Sequence, residues 1–187
     1  MPVRAFAAAL FLLASNTAAP LTGIDPAEHP EVKYVRCIPG MGTAFKVGPN
    51  TLVSVAHVTI LGGCVIDEKP IKVLKSEGDF SILSTEEKSD RWLRIDCSGF
   101  VAGRRYVAIG FARGRPTLTL LDMEGTGIIW KGFYRLNGMF NVIPGMSGGP
   151  ILDAETGAVV GTVNVYNFER GDSGSTELKS TSLCPSS

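Results

Sequence analysis

A serine surrounded by glycines stands out in the segment Pro144-Gly145-Met146-Ser147-Gly148-Gly149-Pro150. An apolar run from Met139 to Ile143 precedes it, which predicts a strand that leads into a tight turn. Such a turn exposes one hydroxyl group, so Ser147 is the candidate nucleophile. Glycines let the backbone curl, and the N–H groups of Gly145 and Ser147 can then point into one small cavity. The segment therefore predicts a nucleophile for attack on a carbonyl group, together with an oxyanion hole.

A serine hydroxyl at neutral pH needs an adjacent base, and histidine is the side chain whose pKa suits that role. The sequence contains two histidines. His29 lies in the proline-flanked polar stretch from Pro26 to Pro30, where we expect an exposed imidazole without a catalytic role. His57 ends the apolar run that starts at Thr51, at the point where a strand would give way to a turn. We therefore predict that His57 is the base.

A carboxylate beside the imidazole would fix its tautomer and stabilise the imidazolium ion. Asp79 follows Gly78 and precedes the apolar run from Phe80 to Leu83, so it can lie at the edge of a core. Asp67 and Asp90 lie in strongly polar segments, where solvation is expected. We predict Asp79 as the third member, although a structural turn aspartate at the start of a strand is the alternative interpretation.

The elements that must position these residues read as strands, and the predicted fold class is all-β. Short runs rich in β-branched and aromatic residues alternate with Gly, Pro, Asn and Asp turn signals, which indicates a sandwich or barrel. The polar stretch from Ser84 to Arg91 predicts either a linker between two halves or a long solvated hairpin loop. The predicted strands are Glu31 to Cys37, Thr43 to Val47, Thr51 to Val58, Ile71 to Leu74, Phe80 to Leu83, Tyr106 to Phe111, Thr117 to Met123, Gly127 to Tyr134, Met139 to Ile143, and Val159 to Tyr166.

Residues 1–20 are typical of a secretory signal peptide. Arg4 supplies a positive charge, Ala5 to Ala14 is apolar, and small residues follow up to Ala19. No segment approaches the ~20 apolar residues that a membrane-spanning helix needs, so we predict no integral membrane segment. An uncleaved signal anchor remains open. The mature chain of roughly 165 residues fits one compact unit or two small subdomains.

Charge and cysteine content exclude several function classes. The 18 basic and 18 acidic residues balance, and no basic block suggests nucleic-acid binding. The four cysteines, Cys37, Cys64, Cys97 and Cys184, lack C-x-x-C spacing and predict two disulfides in an oxidising compartment. The two histidines are few ligands for a zinc site built on histidine side chains. We therefore predict a secreted or periplasmic protein without a metal or other cofactor.

Three motifs in this order resemble the chymotrypsin-like serine proteases, and look closest to compact bacterial members of the high-temperature-requirement type. The motifs are Gly42-Thr43-Ala44-Phe45 leading to Ser54-Val55-Ala56-His57, then Gly78-Asp79-Phe80-Ser81-Ile82-Leu83, then Gly145-Met146-Ser147-Gly148-Gly149-Pro150. The resemblance covers roughly residues 31 to 168. It implies two antiparallel six-stranded β-barrels with the active site in the cleft between them, an N-terminal barrel over 21–90 carrying His57 and Asp79, and a C-terminal barrel over 91–187 carrying Ser147.

The resemblance also implies an activity and a substrate pocket. The activity would be that of a serine endopeptidase, a hydrolase that acts on polypeptides. Separately from the resemblance, we expect a monomer. Asn141 would form the base of the pocket, and Asn164 and Tyr166 one wall, with no carboxylate to pair with a basic side chain. Val58 stands where many animal members have a cysteine, so Cys37 would pair with Cys64 and Cys97 with Cys184, among three possible connectivities.

Other function classes remain as alternatives. The serine segment also fits the nucleophile elbow of α/β-hydrolases, but that fold needs a helix after the serine and a later histidine, whereas Pro150 follows and no histidine does. A subtilisin-like order using Asp25 would need more helices and a longer chain. A protease-like barrel that has lost catalysis and serves as a binding module is the remaining alternative. All three catalytic groups are present in the sequence, which favours the enzyme.

Overall fold

The computed structural model describes residues 28–60, 62–115, 119–130, 133–138, 142–167 and 172–184. Within them, strands form two antiparallel sheets, one from the N-terminal half and one from the C-terminal half. The predicted signal peptide lies outside the described residues. In the part of the chain that is described, no helix is long and apolar enough to cross a membrane.

The N-terminal sheet has seven strands in the order β5-β4-β1-β2-β3-β7-β6. The two ends of this order, β5 and β6, are separated in sequence by one residue, so the sheet must curl until its edges approach each other. It is thus a curled sheet in place of the expected six-stranded barrel. The strands are β1 (Val32–Arg36), β2 (Met41–Lys46), β3 (Thr51–Ser54), β4 (Val65–Ile66), β5 (Lys69–Pro70), β6 (Lys72–Glu77) and β7 (Phe80–Ser84).

The C-terminal sheet closes into the expected six-stranded barrel in the order β10-β13-β12-β11-β8-β9. Its strands are β8 (Arg105–Gly110), β9 (Thr119–Trp130), β10 (Phe133–Asn137), β11 (Pro150–Asp153), β12 (Val159–Asn167) and β13 (Asp172–Glu177). Between β3 and β4 lies a single helical turn, α1 (Ala56–Thr59). The all-β fold class is therefore confirmed.

Buried apolar side chains form a core inside each sheet and a third cluster between the sheets. The cluster between the sheets combines residues of the N-terminal half, such as Phe45 and Val53, with residues of the C-terminal half, such as Val107 and Leu152. Each of these four side chains is at most 2% exposed. Burial of this apolar surface holds the two halves together.

Several predicted elements differ from the structure. The strand expected over 51–58 ends at Ser54, because the chain turns into α1. The strands expected over 117–123 and 127–134 are largely one long strand, β9, followed by β10. Of the strand expected over 139–143, only 142–143 are described, and they are not strand. The segment 84–91 leaves β7 at Ser84 and has no further regular element; the N–H groups of Thr85 and Ser89 donate to carbonyls of the N-terminal half, those of Asn50 and Pro49.

Both disulfides form as the resemblance implied. Cys37 pairs with Cys64, and Cys97 pairs with Cys184. The first disulfide joins the end of β1 to the segment that follows α1, and therefore braces the turn that carries His57. The second joins the connection between the two sheets to the C-terminal end of the described chain.

Candidate active site

The turn that carries His57 and the hairpin that carries Asp79 are joined through the Asp79 carboxylate. Asp79 lies between β6 and β7, after Gly78, whose φ of +57° is in the left-handed region that favours glycine. Oδ2 of Asp79 lies 2.8 Å from Nδ1 of His57, and Oδ1 accepts the backbone N–H of His57 at 2.9 Å. The same carboxylate thus fixes both the backbone and the ring of His57.

The contact with Asp79 determines which nitrogen of His57 is free. Nδ1 faces both carboxylate oxygens, at 2.8 and 2.9 Å, so we infer that it carries the proton of the neutral ring. Nε2 then presents a lone pair on a side chain that is 40% exposed. This is the arrangement that a general base requires.

Asp79 is held in its ionised form. Burial acts to raise the pKa of its carboxyl group, but hydrogen bonds and charge from His57, together with a hydrogen bond from Asn164, outweigh that effect. The net result is a pKa below the usual value. A carboxylate that stays ionised can stabilise an imidazolium ion on His57.

Asn164 supplies a buried donor to Asp79. Its side-chain amide donates to Oδ2 of Asp79 at 2.7 Å, while its carbonyl oxygen accepts the Thr162 hydroxyl and the Thr176 N–H, both at 3.1 Å. Asn164 is 1% exposed. These two donors orient the amide so that its N–H points at the carboxylate. The side chain expected to line the substrate pocket therefore lies against the candidate catalytic carboxylate.

The segment around Ser147, residues 143–149, is called here the nucleophile turn. It consists of a type II β-turn followed by a second tight turn. The N–H of Met146 donates to Ile143 at 3.1 Å, with Pro144 and Gly145 at the central positions. Gly145 has a φ of +95°, which a type II turn requires at its third residue. Gly148 also has a positive φ of +84°, and a β carbon there would collide with the carbonyl of Thr43. Both glycines are thus needed for the backbone path around Ser147.

Hydrogen bonds fix the peptide groups around Ser147 from three directions. The carbonyl of Pro144 accepts the N–H of Arg113 at 2.5 Å, and the carbonyl of Ser147 accepts the N–H of Thr43 at 2.8 Å. The N–H of Gly148 donates to Val163, next to Asn164 in β12. The nucleophile turn and the Asp79 carboxylate are therefore both attached to β12.

Two N–H groups of this turn remain available. Among the residues that the structure describes, no hydrogen bond engages the N–H of Gly145 or that of Ser147. These are the two groups predicted to form the oxyanion hole. Ser147 itself is 5% exposed, and within the described chain its hydroxyl forms no hydrogen bond with His57. Catalytic hydrogen bonds of this kind often close only in the substrate complex.

The other residues singled out in the sequence have mixed outcomes. Asn141 lies outside the described residues, as does the side chain of Tyr166, whose backbone lies in β12. His29 is partly buried against Glu31 at 3.4 Å, so it is less exposed than expected. Asp67 is exposed and contacts Lys33 at 3.2 Å, and Asp90 is also exposed. Neither aspartate approaches His57.

Sequence reasoning missed two roles in this site. Thr43 belongs to a quoted motif, but nothing indicated that its backbone and side chain would both contact the nucleophile turn. The role of Asn164 was hidden because the contact spans 85 residues. A buried polar residue in the middle of the apolar run Val159 to Val165 was the available signal, since such a group needs a hydrogen-bond partner.

No protein-family model matches the chain, and no curated protein sequence matches it. Solved structures do match. The active form of the Rv3671c protease from M. tuberculosis has a TM-score of 0.67 at 21% identity, over 84% of this chain and 78% of that one. The serine endoprotease from Yersinia pestis has a TM-score of 0.66 at 15% identity, over 80% of this chain and 58% of that one. Deg5 has a TM-score of 0.64 at 18% identity, over 81% and 85%.

These similarities define the fold. The chain has the chymotrypsin-like trypsin fold, which it shares with HtrA/Deg-type serine proteases and the Rv3671c protease. The resemblance drawn from the three sequence motifs is confirmed at this level. Since all of these identities lie below 25%, the activity rests on the geometry of the site.

Proposed function

We propose that this protein is a secreted or periplasmic serine endopeptidase. The observation that carries the proposal is the His57–Asp79 contact of 2.8 Å, in a trypsin fold whose nucleophile turn keeps the N–H groups of Gly145 and Ser147 unengaged. The similar serine protease structures support the same activity. The two disulfides and the signal-like N-terminus support an oxidising compartment.

The proposed reaction has two halves. The Ser147 oxygen attacks the carbonyl carbon of a peptide bond while His57 Nε2 takes the hydroxyl proton, and the N–H groups of Gly145 and Ser147 bind the resulting oxyanion. His57 then gives that proton to the departing amine, and an acyl-enzyme remains on Ser147. Water, deprotonated by His57, attacks the ester carbonyl; the bond to the Ser147 oxygen then breaks, His57 returns the proton to that oxygen, and the carboxylic acid is released. Asp79 stays ionised throughout and stabilises the imidazolium ion.

The proposed preference is for small or medium apolar residues on the acyl side of the scissile bond. Neither Asn141 nor the strand segment from Thr162 to Tyr166 offers a carboxylate, and an unpaired Lys or Arg would be strongly disfavoured in a buried pocket. Each methylene changes discrimination by only about 1–3 kcal/mol, so the preference should be graded. A peptide-library profile dominated by Arg or Lys would contradict this assignment of the pocket.

The experiment that tests the activity is labelling of the native, oxidised protein with a fluorophosphonate probe. We expect stoichiometric labelling of the wild type and none of Ser147→Ala. Ser173→Ala is a control for nonspecific serine labelling and should react like the wild type. A wild type that takes up no probe would overturn the proposal and support a binding module with a protease fold.

A further inference from the structure

The side chain of Thr43 connects the N-terminal sheet to the nucleophile turn. Thr43 lies in β2 and is fully buried. Its hydroxyl accepts the backbone N–H of Phe111 at 3.0 Å and donates to the carbonyl of Gly145 at 2.7 Å. A hydroxyl has one proton, and the N–H of Phe111 occupies a lone pair, so the proton is directed at Gly145.

The turn that this hydroxyl contacts has an alternative conformation. Type I and type II turns differ by a flip of the central peptide, here the one between Pro144 and Gly145. Only the type II form has a positive φ at Gly145, where +95° is observed. Glycine tolerates both signs of φ, so Gly145 does not select the conformation by itself. The selection must come from the groups that surround the turn.

Two contacts select the observed form, and Thr43 influences both. The Arg113 N–H holds the Pro144 carbonyl, which directs the N–H of the same peptide, that of Gly145, to the opposite side. The Thr43 hydroxyl holds the next carbonyl, that of Gly145. It also fixes Phe111, two residues before Arg113, and so helps to place the donor of the first contact.

We propose that Thr43 is a positioning residue that keeps the Gly145 N–H directed into the oxyanion hole. Without the hydroxyl, the buried Gly145 carbonyl and the partly buried Phe111 N–H would lose their partner, and both contacts that hold the Pro144–Gly145 peptide in the type II form would be weakened. The N-terminal sheet would then contribute to oxyanion binding as well as supplying His57 and Asp79. The inference rests on the proposed peptidase function.

Thr43→Val and Thr43→Ser separate the hydroxyl from the packing. Valine retains the shape of threonine but removes the hydrogen bonds, whereas serine retains the hydroxyl and removes a buried methyl group. The backbone contact between Thr43 and Ser147 remains in both variants. If Thr43 has a purely structural role, the activity of each variant should fall in proportion to its loss of stability. If Thr43 is a positioning residue, activity should be retained in the variant that keeps the hydroxyl and lost in the variant that lacks it.

The measurement is kcat and KM on a peptide substrate, beside the affinity of a peptide boronic acid whose adduct places an oxygen in the oxyanion hole. We expect Thr43→Val to lose about tenfold or more in both kcat and boronate affinity, with KM within about twofold, because the lost interaction forms only in the transition state. Thr43→Ser should remain within about threefold of the wild type.

The control is Thr181→Val, since Thr181 is also buried and its hydroxyl donates to a backbone carbonyl, that of Leu178, away from the nucleophile turn. It should keep wild-type kcat. Full activity in Thr43→Val would overturn the inference, as would equal losses in both Thr43 variants or losses proportional to the drop in unfolding midpoint. A wild type that fails to react with fluorophosphonate would instead refute the peptidase proposal, and this inference with it.

Discussion

At the scale of single residues, Asp79 shows how one carboxylate can serve several purposes. It fixes the backbone of His57, selects the tautomer of the ring and receives the Asn164 amide. Each contact depends on the negative charge or on its two acceptor oxygens. An amide at this position would keep the shape but present a donor to Nδ1, so the opposite tautomer of His57 would be favoured.

Asp79→Asn should therefore lower kcat by about 10⁴-fold with little change in KM, because the residues act as a unit in the transition state. Steady-state kinetics on a peptide substrate test this. Asp67→Asn and Asp90→Asn make the same substitution, aspartate to asparagine, at two exposed positions. Both variants should keep wild-type activity. The assignment of the acid would be wrong if Asp79→Asn remained fully active while one of the other two lost activity.

The lowered pKa of Asp79 also predicts a pH dependence of stability. A carboxyl group whose pKa is lower in the folded state stabilises the fold fully above its unfolded pKa of about 3.9, and this contribution disappears as the pH falls through the lower folded pKa. The free energy of unfolding should thus fall less steeply with acid, below about pH 4, in Asp79→Asn than in the wild type. Denaturant titrations between about pH 2 and 6 measure the two slopes. Parallel slopes would contradict this prediction.

At the same scale, the sequence predicts residue types better than partners. His57, Asp79 and Ser147 could be chosen from chemistry and position alone. The Asn164 amide and the Thr43 hydroxyl could not be assigned, because their partners lie 85 and 102 residues away. A single sequence contains no signal for such contacts beyond the need of a buried polar group for a partner.

At the scale of elements, glycines marked positions of positive φ, but a positive φ does not always end a strand. Gly78 and Gly145 mark the turns beside Asp79 and Ser147, and both have a positive φ. Gly127 suggested the start of a new strand, yet it lies within the long strand β9. The register between β9 and β10 shifts between Arg135 and Leu136, which indicates a β-bulge at this point of the strand pair.

The disulfides brace different elements, so their removal should have different effects. The Cys37–Cys64 disulfide closes a separation of 27 residues around α1, and Cys97–Cys184 closes one of 87 residues. The chain-entropy estimate gives losses of stability of about 3–4 and about 4–5 kcal/mol respectively. We also expect the Cys37→Ser/Cys64→Ser variant to have a reduced kcat, even at temperatures well below its melting temperature, because α1 carries His57.

Paired measurements of kcat and chemical unfolding test this difference between the disulfides. The Cys97→Ser/Cys184→Ser variant is the matched control and should lose stability while keeping kcat near that of the wild type at a temperature where it is folded. If the two double variants lost kcat equally while both were folded, the brace on the His57 turn would not be specific.

At the scale of the whole molecule, the site is completed where the two halves meet. β2 contacts the turn around Ser147 through Thr43, and β12 contacts the Asp79 carboxylate through Asn164, so each half holds a candidate catalytic group of the other. The apolar cluster between the sheets stabilises both contacts. The overall fold was predictable from its strand spacing and motifs, but the curled form of the N-terminal sheet depends on two very short strands, β4 and β5, that lack a clear pattern.

The packing of Met146 predicts that removal of the proposed signal peptide, followed by folding, suffices for the proposed activity. Many digestive members of the chymotrypsin-like family, which the sequence motifs resemble, carry just before the nucleophilic serine an aspartate that pairs with a newly cleaved N-terminal amine. Here that position is Met146, which is fully buried in the core of the C-terminal barrel. An apolar side chain cannot form an ion pair, and its burial already anchors the nucleophile turn.

Two forms of the protein should therefore have the same kcat/KM: one whose first residue is residue 21, and one with a short, non-removable extension before residue 21. Their activity should also be insensitive to acetylation of the N-terminal amine. Met146→Leu retains apolar burial and should keep the activity, whereas Met146→Asp would place an unpaired charge in the core and should destabilise the fold. Activity that appears only after a defined second cleavage, or only with a free amine at one particular residue, would show that the turn needs an N-terminal partner after all.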